Sequence, residues 1–316
     1  MYPAPFSEGK ALQHMGSTTP PDPRLTEQRN PRSAHIDELS TLGIVDLINA
    51  EDVKVAHAVA AERVALALAV DLVVASLRSG GRLFYVGAGT SGRLGVLDAA
   101  EIPPTYRTPP DLVQGIIAGG VETLVRAREG AEDDRDAALR DIDERGVRSG
   151  DFVLGIATSG TTPYVHAALS RARECGARTG FLLCSEPSPQ LRDTHDVVIA
   201  PLVGPEVITG STRMKAGTAT KLVLNTITTA AMVRLGKVYG NLMVDLVVTA
   251  DKLRDRAERI IMETAGVERE RAVALLGEAG GHVKTAIVMA KLGVDAPTAR
   301  AKLDTAGGLI AHVLAV

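Results

Sequence analysis

Three short segments of this 316-residue chain concentrate glycine and small hydroxyl residues: Gly87-Ala-Gly-Thr-Ser-Gly-Arg93, Ala157-Thr-Ser-Gly-Thr-Thr-Pro163, and residues 204–221, GPEVITGSTRMKAGTATK. The third also carries spaced cations and runs straight into the apolar helical pattern of Leu222 to Val233. A helix that opens in this way offers backbone N–H groups, hydroxyl donors and positive charge to an anion. Thr90 and Ser91 lie in the first segment, Ser159 and Thr162 in the second, Arg213 and Lys215 in the third. The hydroxyls are candidate donors to phosphoryl oxygens, and the glycines let backbone approach the same group. Each loop alone also fits a tight strand-to-helix turn capped by a hydroxyl, and Arg213 and Lys215 also fit ion pairs with Glu206 or Asp245. Three such segments in one chain point to a phosphorylated small molecule as ligand.

The elements between these segments alternate. Leu83–Val86, Gly115–Ala118, Phe152–Ile156, Thr179–Leu183 and Val197–Ala200 are apolar runs of strand length, and helical patterns separate them at 93–100, 121–144, 163–176 and 211–236. Such alternation predicts an α/β fold, a mostly parallel sheet with helices on both faces. Ligands of open α/β sheets sit beyond the carboxyl ends of the strands, which is where the first two segments fall. Upstream, a helical pattern spans Ile36 to Leu77 and stops at Gly80-Gly81. Downstream of Asp245 the strand signals vanish. One helix is expected over 246–265, then three or four short ones over 267–316, broken near Gly280-Gly281, Gly293 and Gly307-Gly308. The predicted organisation is a disordered, proline-rich tail over 1–25, a sheet domain with N-terminal helices over 26–254, and a small helical subdomain over 255–316.

Composition removes several function classes. A net charge of −3 argues against a nucleic-acid partner, which favours a basic face, and 3% aromatic residues with no tryptophan leave little for base stacking. No run approaches the roughly 18 apolar residues of a membrane span, and the amino terminus has no secretory pattern, so a cytoplasmic location is expected. Cys175 and Cys184 sit in no metal or redox motif and read as reduced core thiols. The seven histidines show no metal-ligand spacing.

Gly87–Gly92 formally fits the dinucleotide pattern G-x-G-x-x-G after a strand. That fold needs an acidic residue about 20 positions on, at the tip of the second strand. Here the second strand ends in Ala118-Gly119-Gly120, and Pro103-Pro104 interrupts the intervening helix. A nicotinamide cofactor is therefore not expected.

These segments resemble the sugar isomerase domain, which binds phosphosugars through Ser/Thr loops. More narrowly the chain resembles the N-acetylmuramic acid 6-phosphate etherases. The matching stretches are Gly87–Gly95, Asp98-Ala-Ala-Glu-Ile-Pro-Pro-Thr-Tyr106, Arg128-Glu-Gly-Ala-Glu-Asp-Asp134, Ser159–Tyr164, residues 204–221 and Gly236–Asp245. Residues 204–221 are shared with the eukaryotic glucokinase regulatory proteins, whereas the segments around Glu101 and Glu132 narrow the likeness to the etherases. Ile102 departs from the commoner family spelling, Cys.

The resemblance implies cleavage of the ether between D-lactate and C3 of the sugar, by elimination and then hydration. It implies Glu132 as the base acting on C2 and Glu101 as the proton donor to lactate, with no metal or redox cofactor. It further implies a phosphosugar held by Ser91, Ser159 and Thr162, with Arg213 and Lys215 meeting the phosphate or the lactate carboxylate, and a homodimer to which an apolar helix such as 222–236 contributes. An exposed glutamate has a pKa of about 4.3 and is nearly all carboxylate at neutral pH. Glu101 is accordingly expected in a drier pocket with a raised pKa. Two other functions fit the same domain: a non-catalytic phosphosugar sensor and an aldose–ketose isomerase.

Overall fold

The computed structural model describes residues 22, 24–246 and 251–315; most of the expected tail over 1–25, and 247–250 of the helix expected over 246–265, lie outside the described residues. Five strands, β1 (Leu83–Gly87), β2 (Val113–Ile117), β3 (Phe152–Ile156), β4 (Arg178–Leu182) and β5 (Val197–Ile199), form one sheet in the order β2-β1-β3-β4-β5. Every pairing is parallel. Successive side chains of a strand leave opposite faces. Leu83 and Tyr85 of β1 thus enter one core cluster, Phe84 and Val86 the other. With both faces covered, the strands read as unbroken apolar runs rather than alternating ones.

The seven helices of this domain are α1 (Thr41–Ala61), α2 (Arg63–Arg78), α3 (Gly89–Tyr106), α4 (Arg135–Glu144), α5 (Pro163–Glu174), α6 (Pro189–Thr194) and α7 (Lys215–Arg234). Helices α1, α2, α3 and α7 cover one face of the sheet, and α4 and α5 the other. Helix α7 is the centre of its layer: Val223, Leu224, Ile227, Ala231 and Met232 are buried. The apolar face expected to join two subunits is therefore spent inside its own domain.

Local signals explain where the elements depart from expectation. The helix expected over 36–77 breaks at Glu62, whose carboxylate accepts the Ala200 N–H (3.0 Å). Over 121–144 only the last ten residues are α-helical, because Gly130 takes a left-handed conformation (φ 73°) and Asp134 caps α4 by accepting from Ala137 N. Pro103 and Pro104 lie inside α3, in its last turn; the helix ends at Arg107, which is left-handed (φ 52°). Helix α6 was not expected, although Ser188-Pro189 is a standard opening, with the serine capping and the proline at the first helical position. A two-residue hairpin, β6 (Val238–Tyr239) and β7 (Leu242–Met243), follows α7.

Five further helices, α8 (Asp251–Ala265), α9 (Arg269–Glu278), α10 (Val283–Leu292), α11 (Ala296–Thr305) and α12 (Ile310–Leu314), enclose a separate core that runs from Val244 to Val313. Asp245 ties it to the hairpin by accepting from Lys237 Nζ (3.2 Å) and Lys284 Nζ (2.8 Å). No described helix is long and apolar enough to cross a membrane.

One buried polar cluster spans the sheet domain. Glu51 of α1 is 1% exposed and accepts from Lys215 Nζ (2.6 Å), Lys54 Nζ (2.6 Å), Arg32 Nη1 (2.9 Å) and Asn30 Nδ2 (3.0 Å). Burial would push the Glu51 carboxyl up, but the hydrogen bonds from Lys215 and Lys54 outweigh it and hold the pKa at about 2. A pKa below the unfolded value of 4.5 stabilises the fold above pH 4.5, and that contribution is lost as pH falls from 4.5 toward 2. Removing Lys215 leaves the buried Glu51 carboxylate with only Lys54, Arg32 and Asn30, at a cost below the roughly 3–5 kcal/mol of a wholly uncompensated charge, about 1–3 kcal/mol. Urea unfolding at pH 7 should show Lys215→Met destabilised by that amount, with the deficit shrinking as pH is lowered below 4.5.

Candidate functional site

In the order β2-β1-β3-β4-β5 the chain leaves β1 to one side and later continues from β3 to the other, which opens a crevice at the carboxyl ends of these two strands. The loop from β1 to α3 and the loop from β3 to α5 both end there. Together they wall a cavity of about 460 Å³, lined by Thr90, Ser91, Ser159 and Thr162, by Glu132, and by Gly210 and Thr212 of the loop before α7. The four hydroxyl residues singled out from sequence are thus brought together on one cavity. A larger cavity, about 540 Å³, lies between α5 and α6; it shares Ser159 and Thr161 but is lined by neither Glu101 nor Glu132.

No side chain caps α3 or α5; at α3 the amides of Gly89, Thr90 and Ser91 are left for another acceptor, whereas at α5 Pro163 has no N–H and the Val165 and His166 amides donate to Thr162 O, which leaves the Tyr164 amide. Ser159 Oγ lies 3.1 Å from Thr161 Oγ1 and accepts the Thr161 N–H (3.3 Å), which folds the second loop around the left-handed Gly160 (φ 83°). In the first loop Gly92 is dictated by contact. A β-carbon there would stand 2.6 Å from both Gly87 O and Ile117 Cγ1.

The third segment behaves differently from its sequence reading. Glu206, fully buried, accepts the Lys215 N–H (3.0 Å) and the Ala216 N–H (2.9 Å), so the amino end of α7 is closed by the protein's own carboxylate. Burial pushes the Glu206 carboxyl up, and these two amide bonds and the charge of Lys215 pull against it. The Lys215 ammonium is 1% exposed and bound to Glu51. Arg213 is exposed and does not line the cavity. Neither cation lies on this cavity in the single chain, and the helix expected over 211–236 begins at Lys215.

The cavity wall is poor in available positive charge. Among the described residues Arg24 is its one lysine or arginine, and its guanidinium is bound to Asp22 (2.6 and 2.9 Å). Glu27, Glu132 and Asp133 add carboxylates. An anion in this space would be held by neutral donors, hydroxyls and amides.

The two glutamates are placed unequally. Glu132 sits in the short 3₁₀ turn after Gly130 and lines the cavity. Glu101 is exposed on the outer face of α3, beside Leu97 (52% exposed), and does not line it. Ten helical residues from Ser91 to Glu101 amount to about 15 Å along the axis. The expected dry pocket around Glu101 is absent from the single chain, because a rigid helix carries the residue away from the loop that starts it.

Sequence reading missed Arg24, Glu27, Asp133, Thr161, Gly210 and Thr212 on the wall. Thr161 and Thr212 stood inside singled-out segments; Arg24 was assigned to the tail because the prolines around it gave no periodicity. Gly92→Ala forces α3 off β1 at the mouth of the cavity, and overpacking of this kind costs about 1–3 kcal/mol. Thermal denaturation should show the loss, whereas Gly277→Ala, which meets open space, should show none.

Comparison with known proteins gives this geometry a context. Residues 65–173 match the glucokinase regulatory protein N-terminal SIS domain. An N-acetylmuramic acid 6-phosphate etherase of Symbiobacterium thermophilum is 57% identical over 270 residues, 85% of this chain and 89% of that protein. Proteins of the same name from a Synechococcus species (55% identical; 89% and 88% covered) and from Rhodopirellula baltica (53% identical; 92% and 96% covered) are similarly related. Among solved structures, a phosphoheptose isomerase from Francisella tularensis superposes with a TM-score of 0.50 at 17% identity, covering 62% of this chain and all of that one; the likeness is one of fold.

Proposed function

The chain belongs to the N-acetylmuramic acid 6-phosphate etherase family, and from that membership we propose how its residues carry the reaction. The enzyme cleaves the lactyl ether of N-acetylmuramic acid 6-phosphate with water, giving N-acetylglucosamine 6-phosphate and D-lactate, and is a carbon–oxygen lyase. An ether is inert to a neutral nucleophile, so the route is elimination followed by hydration.

In our reading the 6-phosphate lies between the loops of Thr90–Ser91 and Ser159–Thr162 and accepts from their hydroxyls and from the uncapped amides of α3 and α5. With the sugar ring open, the C1 aldehyde acidifies the C2 proton. Glu132 takes that proton, the C3–O bond breaks, and Glu101 protonates the departing lactyl oxygen. In the return step Glu101, now a carboxylate, takes a proton from water as its oxygen adds to C3 of the enal, and Glu132 returns a proton to C2. General acid–base steps of this kind contribute roughly 10²–10⁴-fold each. The observation that carries the assignment is that Glu132 lines the same cavity as four loop hydroxyls.

Glu101 enters this scheme through a second copy of the chain. Its distance from the loops along α3 and the exposed Leu97 beside it support a homodimer in which this face of α3 is covered by the partner. Covering the face would bury Leu97 and remove water from Glu101, an environment that favours the neutral acid a proton donor needs. A cytoplasmic setting belongs to the same reading, supported by two cysteines that stay unpaired. The sensor and isomerase alternatives leave unexplained why etherases match this chain over most of its length.

The test is isotopic. In deuterium oxide the wild-type enzyme should place deuterium at C2 of the product, and Glu132→Ala should lower both lactate release and C2 exchange by at least about 100-fold. Full exchange in Glu132→Ala would remove it as the base. Glu101→Gln should retain C2 exchange in bound substrate while losing lactate release.

A further inference from the structure

The lactyl group carries a carboxylate that any enzyme acting on it must hold; Lys215 is committed to Glu51, and Arg213 and Lys221 both lie outside the lining of the cavity in the single chain. The packing of α3 against α7 points to Lys221. The two helices run in parallel: a methyl built on Gly217 would stand 3.5 Å from Thr90 Cγ2, at the start of both helices. Eight residues further along each, Asn225 Nδ2 donates to Asp98 Oδ1 (2.7 Å), joined by Thr228 Oγ1 (3.2 Å). Gly217, Lys221 and Asn225 are spaced by four and share one stripe of α7. Lys221 therefore stands between the contact at the phosphate loop and the contact at Asp98, and Glu101 follows one turn beyond Asp98.

Lys221 is exposed and makes no hydrogen bond or ion pair with a described residue, whereas Lys215, Lys237 and Lys284 are all held in ion pairs. Its charge acts on Asp98, which is 5% exposed and already accepts from Tyr85, Asn225 and Thr228. Burial pushes the Asp98 carboxyl up, and those three hydrogen bonds together with the Lys221 charge pull against it. Arg93, on the same stretch of α3, is turned away to the carbonyls of Thr123 and Leu124 (2.6 and 3.1 Å).

We infer that Lys221 binds the lactyl carboxylate of the substrate, which rests on the etherase reading above. Its Cα lies about 6 Å along α7 from Gly217, displaced from the loop that takes the phosphate. The lactyl ether is borne on C3 and the phosphate on C6, so a substrate anchored by its phosphate presents its carboxylate away from the loops. A flexible ammonium with no partner among the described residues suits a carboxylate that arrives with the substrate and departs with the product. Lys221 is in this sense a positioning and specificity residue, which touches the group that distinguishes the substrate from the sugar product.

The experiment compares two ligands that differ only by that group. KM and kcat for N-acetylmuramic acid 6-phosphate, and Ki for N-acetylglucosamine 6-phosphate as product inhibitor, are measured for wild type, Lys221→Gln and Lys221→Arg. Lys221→Gln should raise KM roughly tenfold or more, the effect of losing a charge-assisted hydrogen bond, with Ki within twofold of wild type. Lys221→Arg should recover most of the KM. An unchanged KM overturns the inference, as does a parallel rise in KM and Ki, which would place Lys221 on the phosphate or in the fold. Wild-type protein that releases no lactate would overturn the etherase reading itself, and with it the ligand assigned to Lys221.

Discussion

Two carboxylates buried at the amino end of α7 set the position of everything around the crevice. Glu206 closes the helix by accepting its first amides, and Glu51 neutralises the ammonium of Lys215, which has no access to water. Each would be costly to bury alone. Together with Asn30, which also donates to Pro205 O (3.2 Å), they pin α1, α7 and the 204–214 loop to one another. That loop then delivers Gly210 and Thr212 to the cavity wall, and α7 is held with Gly217 against Thr90. Glu206 and Lys215, the buried charges of the most distinctive segment of the sequence, build the site without occupying it.

This division of labour follows from the electrostatics of a helix end. A carboxylate supplied by the protein and a phosphate supplied by a ligand compete for the same amides. At α7 the protein has filled the place; at α3 and α5 it has not, and there the hydroxyl loops gather. The fold that positions those loops is shared with a phosphoheptose isomerase at 17% identity. The likeness is one of fold, and a fold does not by itself decide a reaction.

Much of the architecture was legible because it obeys simple periodicities. The strands lie within a residue or two of the apolar runs that announced them, since a doubly covered parallel sheet has no polar face to interrupt the run. Both hydroxyl loops fell where the strand ends required. What escaped was whatever depends on distant partners. Nothing local tells that Lys215 meets a glutamate 164 positions earlier, or that Arg24 lies beside a loop formed by residues 88–91. Pro103 and Pro104 mark the end of α3 without preventing its last turn: lacking N–H groups, they leave the carbonyls of Ala99 and Ala100 without their helical donors, and the helix stops at Tyr106. Glu101 is the clearest case: its motif was evident, but only the straightness of α3 reveals how far from Ser91 it is carried.

The chemistry and the architecture meet at C2 and C3 of the sugar, and the fate of the ether oxygen reports on both. The most direct measurement is the reaction run in ¹⁸O-labelled water, followed by mass spectrometry of both products. Elimination and rehydration at this site predict that the label enters the C3 hydroxyl of N-acetylglucosamine 6-phosphate and that D-lactate keeps the original ether oxygen. Label found in lactate, with none in the sugar, would mean that water attacks the lactyl carbon, and would contradict the account.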